Sequence, residues 1–150
     1  MSAFLLDTNV LSELMRPQPA LPVLAWFAAR AASTMYSSAI TQAEILTGIA
    51  LLPLGQRQQA LAQAAQTMFS QDFAAGRLLP FDRAAAEHYA LVVATRRAQG
   101  RPISTEDAQI AAIALAAKLP LLTRNTKDFS GIADLACINP WGEAEDTSKT

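Results

Sequence analysis

The chain has 150 residues, 51% of them hydrophobic, and a formal net charge of −1 from 12 basic and 13 acidic residues. That length and apolar content suit one compact domain with a real core and exclude a disordered chain. The near-balanced charge excludes a global basic field, so any nucleic-acid contact must come from local clustering; Cys137, the only cysteine, excludes an intrachain disulfide and a cysteine metal site.

An apolar run at residues 3–6 stops abruptly at Asp7-Thr8-Asn9. Continuous hydrophobics followed by polar residues are the pattern of a buried parallel strand leaving its sheet. In open α/β sheets ligands sit just outside such strand ends, which makes Asp7 a candidate metal ligand. Residues 9–16 read as a short helix stopped by Pro17, and 21–32 as a second helix with Pro22 in its first turn. A short strand at 35–38 precedes a helix at 41–51, where Thr41 and Glu44 have the spacing of a capping box. Pro53 and Gly55 separate it from a Gln- and Ala-rich helix at 57–71, whose only large apolar residues are Leu61, Met68 and Phe69. A third strand is expected at 77–81, weakened by Pro80. Asp82 then caps a helix at 83–99 that Gly100 ends.

Ser104-Thr105-Glu106-Asp107 introduces a strongly apolar helix at 108–117, which should lie in the middle of the fold. Strands at 119–122 and 136–138 complete the pattern, with Thr123-Arg124-Asn125-Thr126-Lys127-Asp128 between them. Alternating strands and helices argue for a parallel sheet covered on both faces. One domain over 1–141 and a flexible polar tail over 142–150 are expected. Asp7 and Glu13 interrupt the N-terminal apolar stretch too early for a signal peptide, and the run at 108–117 is about half a membrane span. A soluble cytoplasmic protein without membrane contact is the expectation.

Asp7, Glu44, Asp107 and the pair Asn125/Asp128 recur at strand ends or in first helical turns. Singly, each has an ordinary role as a helix cap or as a charge favoured by the helix dipole. Together, in a parallel sheet, they fall on one edge, where their carboxylates would repel one another unless a cation neutralised them. Oxygen-only donors suit Mg²⁺ or Mn²⁺ rather than zinc, and such an ion leaves room for phosphate oxygens and an activated water. His88 is solitary and mid-helix, and reads as an ordinary surface or packing residue. Cys137 reads as a small buried hydrophobe. Arg16, Arg96, Arg97, Arg101, Arg124 and Lys127 are candidate phosphate contacts, with a solvated charged surface as the equal alternative.

Four segments carry a family resemblance: Leu5-Leu6-Asp7-Thr8-Asn9-Val10-Leu11-Ser12-Glu13, Ser38-Ala39-Ile40-Thr41-Gln42-Ala43-Glu44, Ser104-Thr105-Glu106-Asp107-Ala108-Gln109-Ile110-Ala111-Ala112, and Leu122-Thr123-Arg124-Asn125-Thr126-Lys127-Asp128-Phe129. In order and spacing they resemble the PIN-domain ribonucleases, and among them the VapC-type toxins of bacterial toxin–antitoxin pairs. Asn139-Pro140-Trp141 is similar to the FitB-like branch. The resemblance implies a PIN-like α/β/α sandwich around a mostly parallel sheet of about five strands. It implies a Mg²⁺- or Mn²⁺-dependent endoribonuclease, a homodimer, and a VapB-like antitoxin that blocks the site and through which alone DNA is contacted. By position it makes Asp7, Glu44 and Asp107 the metal-coordinating acids. Thr8, Asn9, Thr105, Thr123 and Arg124 take supporting roles, orienting carboxylates or binding phosphate. The family often has Asp where this chain has Asn125; Asp128 either replaces that carboxylate or only organises the loop. Two rivals stand beside this reading. A haloacid-dehalogenase-type phosphatase fails at Asn9, where its motif needs a second Asp. A non-catalytic PIN-like module, acting with a DNA-binding partner, is kept alive by Asn125.

Overall fold

The strand at Phe4–Leu6 (β1) forms the centre of the sheet. It buries Phe4 and Leu6 on one face and Leu5 on the other, as the two-residue period of a strand requires. The structure is a computed structural model and describes residues 2–142. The tail expected at 142–150 lies, beyond Gly142, outside the described residues. The other strands are Met35–Ser38 (β2), Leu78–Leu79 (β3), Leu121–Leu122 (β4) and Cys137–Ile138 (β5). The sheet has the order β3-β2-β1-β4-β5 and every pairing is parallel, where the sequence implied only mostly parallel.

Six α-helices cover it: Thr8–Leu14 (α1), Leu21–Ala28 (α2), Ala39–Ala50 (α3), Gln56–Thr67 (α4), Arg83–Ala98 (α5) and Thr105–Ala117 (α6). One face of the sheet packs against α1 to α4 through Val10, Leu11, Ile45, Ile49 and Ala65. The other packs against α5 and α6 through Ala85, Val92, Ile110 and Ile113. α6 buries Ala108 and every residue from Ile110 to Ala114, so the all-round apolar helix does lie inside the fold.

Several boundaries differ from the sequence expectation, three of them in α2, α3 and α4. α2 stops at Ala28 rather than 32, because the Arg30 guanidinium folds back over the Trp26 ring at 3.7 Å and donates to the Trp26 carbonyl at 2.7 Å. A separate 3-10 turn, Ala32–Thr34, then leads into β2. α3 begins at Ala39 with Ser38, not Thr41, as its cap: Ser38 Oγ accepts the Thr41 N–H at 3.1 Å. The helix expected at 57–71 ends at Thr67 and continues as a π turn, Met68–Asp72, which swings Met68 and Phe69 into the core.

In this strand order the chain winds to one side of β1 through β2 and β3, then crosses to the other side through β4 and β5. The reversal falls between β1 and β4. A crevice at the carboxyl ends of those two strands is where such a sheet binds ligands.

Candidate active site

Asp7 leaves the end of β1 into that crevice. It is 5% exposed and caps α1. Its Oδ1 accepts the Thr8 N–H at 2.8 Å. Its Oδ2 accepts from Thr123 Oγ1 at 2.8 Å and from Asn9 Nδ2 at 3.4 Å. Thr123 leaves the end of β4, so this pair bridges the switch point directly. Asn9 makes the same crossing a second time, accepting the Arg124 N–H at 3.2 Å. Thr123 Oγ1 in turn accepts the Asn125 N–H at 3.1 Å.

Glu44 stands on α3, one turn beyond the end of β2. Its Oε1 accepts from Thr8 Oγ1 at 2.8 Å, and Thr8 Oγ1 lies 3.1 Å from the buried Thr41 hydroxyl. A hydroxyl carries one proton, so with Thr8 donating to Glu44, Thr41 donates to Thr8. The capping-box role open to Glu44 is therefore overturned: its carboxylate reaches across to α1 instead of back to its own helix end. Thr41, read as a cap, is a bridging hydroxyl. The spacing that suggested the cap also places Thr41 and Glu44 on one face of α3, and that was the available signal.

Asp107 is half-buried in the first turn of α6, where Ser104 Oγ accepts its N–H at 3.2 Å. The Asp7 carboxyl is pushed from 3.8 up to about 6, by burial first, against the hydrogen bonds from Thr123 and Thr8; repulsion from Asp107 and Glu44 adds to the rise. Asp107 is also raised, by burial and then by the charges of Asp128, Glu44 and Glu106, with Ser104 opposing. Three acids distant in sequence thus bear on one another at the sheet edge. Of Asn125 and Asp128, both exposed, Asp128 is the one whose charge acts on Asp107. Asn125 contributes its carbonyl to the 3-10 turn Thr126–Phe129. Thr105 is exposed and makes no side-chain hydrogen bond among the described residues.

The donor set fits a hard divalent cation: carboxylate oxygens at a partly desolvated crevice, with Asp7 and Asp107 disfavoured as anions by burial and by neighbouring charge. Among the described residues no three Asp, Glu, His or Cys groups stand close enough to hold one ion as placed. Glu44 is the group with freedom to turn, being exposed and, among the described residues, hydrogen-bonded through one oxygen only. Cys137 is half-buried against the second core, and burial raises its thiol to about 11, so it is no thiolate ligand.

The candidate phosphate contacts divide. Arg96 is 5% exposed and spends its donors on backbone carbonyls of Arg101, Asp128 and Ser130, which removes it from that set. Arg101 bonds to Ser130 and Lys127, and Arg16 pairs with Glu13 at 3.3 Å. Arg97, Lys127 and Arg124 are exposed; Arg124, over the Trp141 ring at 4.9 Å, stands on the rim beside Asn9. His88 is half-buried on α5 and lines a large cavity elsewhere.

Comparison with known proteins bears on this geometry. The family model described as PIN domain matches residues 4–135. Toxin FitB of Neisseria gonorrhoeae is 42% identical over 137 residues, which are 91% of this chain and 97% of that protein. A VapC ribonuclease of Sinorhizobium fredii is 41% identical over 139 residues, 93% of this chain and 98% of that one. The solved structure of FitAB bound to a DNA fragment superposes with a TM-score of 0.84 at 40% identity, covering 93% of this chain and 96% of that one.

Proposed function

The chain belongs to the PIN-domain family, and from that premise we propose that it is the toxin of a toxin–antitoxin pair, a Mg²⁺- or Mn²⁺-dependent endoribonuclease. The observation that carries this reading is the state of Asp7. Its carboxyl is buried at the switch point between β1 and β4 and fixed by donors from both strand ends. Burial and the charges of Asp107 and Glu44 still leave it raised to about 6. A group so firmly oriented and so poorly tolerated as an anion suits a cation-binding role.

Asp7, Glu44 and Asp107 would hold the ion, which when bound supplies neutralising charge, a grip on the scissile phosphate and a water of lowered pKa. The protein's own work is orientation. Thr123 and Asn9 fix which lone pairs Asp7 presents. Thr8, backed by Thr41, holds one oxygen of Glu44 and leaves the other free. Ser104 fixes the turn that carries Asp107, and Asp128 adds a further acid beside it. Arg124 and Lys127, exposed on the loop after β4, would meet RNA phosphates. No serine, cysteine or histidine nucleophile is required.

A groove of about 260 Å³ between α1, α3 and α4 is lined by Thr8, Glu44, Ile45, Ile49 and Leu61. A small VapB-like antitoxin seated there would cover Glu44 and block the site. A homodimer, DNA contact only through the antitoxin, and action in the cytoplasm complete the proposal; no helix of the described residues is long and apolar enough to cross a membrane. The test is cleavage of RNA by the purified chain with Mn²⁺ or Mg²⁺. Asp7→Asn is expected to lower the rate by about a thousandfold or more. Cleavage by Asp7→Asn at the parental rate refutes the metal role. A second reading, an inactive module serving a DNA-binding partner, is favoured by Asn125 and by the FitAB complex solved on DNA. Harmless expression of the folded chain without its partner would support that reading.

A further inference from the structure

We propose that Arg96 is a positioning residue of the catalytic centre, which clamps the loop carrying Asp128 to the turn that delivers Asp107. The inference rests on the ribonuclease reading above.

Arg96 lies in the last turn of α5 and is 5% exposed. No carboxylate pairs with it among the described residues. A guanidinium withdrawn from water without a counter-ion is costly unless its donors are all used well. Here Nε donates to the Arg101 carbonyl at 2.8 Å, and Nη1 donates to the carbonyls of Asp128 at 2.7 Å and Ser130 at 3.2 Å. Arg101 opens the connection that runs through Ile103 to the Ser104 cap of α6. Asp128 and Ser130 belong to the loop after β4. One planar head group therefore fixes the spacing of two loops, each bearing an acid of the site.

Neighbouring side chains act on the same loop. Arg101 Nη2 donates to Ser130 Oγ and, at 3.4 Å, to the Lys127 carbonyl. Gln99 Nε2 donates to the Gly131 carbonyl at 3.3 Å. Gly131 has φ +77°, and a Cβ there would meet Gln99 Oε1 at 2.9 Å, so the loop lies tight against the end of α5. Lysine cannot substitute for the clamp, because a point ammonium lacks the rigid fork that reaches carbonyls in two loops at once.

Arg96→Lys keeps the charge and removes the fork. RNA cleavage, calorimetric Mn²⁺ titration without RNA, and amide exchange would be compared with the parental chain. The expected result is a fall in kcat of about tenfold or more with KM within about twofold, and Mn²⁺ affinity weakened several-fold. Amides at 126–130 should exchange faster. Ser130→Ala, which deletes only a loop hydroxyl, should move the same quantities in the same direction by about threefold. A folded Arg96→Lys with parental kcat and Mn²⁺ affinity overturns the proposal, whatever its melting temperature. If Arg96→Lys does not fold, Arg96→Gln, which keeps a shorter planar donor, decides on the same readouts. A parental chain that neither binds Mn²⁺ nor cleaves refutes the ribonuclease reading and this inference with it; an active parent with indifferent variants refutes this inference alone.

Discussion

The two ends of the sheet are built from the same strands and do different things. At the carboxyl end, small polar residues close tightly around Asp7, and the space beside them is a shallow groove of about 260 Å³. At the amino end, between α5, α6 and the loop before β5, lies a cavity of about 830 Å³ walled by Leu91, Val92, Leu115, Leu119, Pro120 and Ile132. The size of a cavity does not indicate where chemistry resides. At the carboxyl edge the chain leaves β1, β2 and β3 and enters α1, α3 and α5, so N-caps, free backbone N–H groups and the positive ends of helix dipoles collect there. The amino edge collects helix carboxyl ends, and its wall holds His88, Lys118 and Asp134 without an arrangement of acids.

The largest expected effect concerns the energy stored at the carboxyl edge. With its folded pKa raised from 3.8 to about 6, Asp7 binds a proton more tightly in the folded chain than in the unfolded one. The stability this contributes is fully present below pH 3.8 and is lost as pH rises through about 6, an amount near 3 kcal/mol. Asp107 shifts in the same direction. Metal-free Asp7→Asn should therefore exceed the parental chain in unfolding free energy at pH 7.5 by about 1–3 kcal/mol, with the gap closing toward pH 4. Urea unfolding of both proteins across that range measures it. Mn²⁺ at pH 7.5 should raise the melting temperature of the parental chain and leave the variant unchanged. A gap that does not depend on pH would show that the edge stores no such charge.

A smaller effect isolates orientation from charge. Thr123→Val preserves volume but removes the 2.8 Å hydrogen bond to Asp7 and the acceptor for Asn125. Cleavage should fall by about 10- to 100-fold with the acid still present. Calorimetric Mn²⁺ affinity should weaken alongside it. An unchanged rate would mean that the bridge between β1 and β4 holds the fold and not the site.

How much of this edge could be read beforehand depended on what each residue contacts. The run at 3–6 ending in Asp7 was legible because burial on both faces of a parallel strand leaves a continuous apolar signature. Asp82 and Ser104 were legible because a cap acts within its own turn. For Glu44 the same local logic offered a cap beside the metal-ligand reading, and only the cap fails, since its partner Thr8 is 36 residues away. Pattern places residues on a helix face; it does not say which neighbour that face will meet. Arg96 left no usable signal. Its partners are backbone carbonyls, present at every position, so no residue type marks them. The end of α2 was hidden for a related reason: Arg30 closes that helix by stacking on Trp26, while its sequence continues in helix-favouring alanines.

The smallest expected effect lies at the amino end of the sheet, and its value is that it should be close to nothing. His88 is half-buried in the wall of the 830 Å³ cavity, and the strands separate it from Asp7. It is the only histidine in the sequence, and an imidazole is the side chain most often used to move protons near neutral pH. His88→Gln keeps hydrogen-bonding capacity and removes the imidazole. Cleavage should stay within about twofold of the parental rate, and stability within about 0.5 kcal/mol, as for a substitution away from caps, charges and packed core. The pH profile of the metal-dependent rate should keep its midpoint. A midpoint that moves with His88→Gln would place a working proton at the wrong end of the sheet, and the contrast between the two ends would fail at its root.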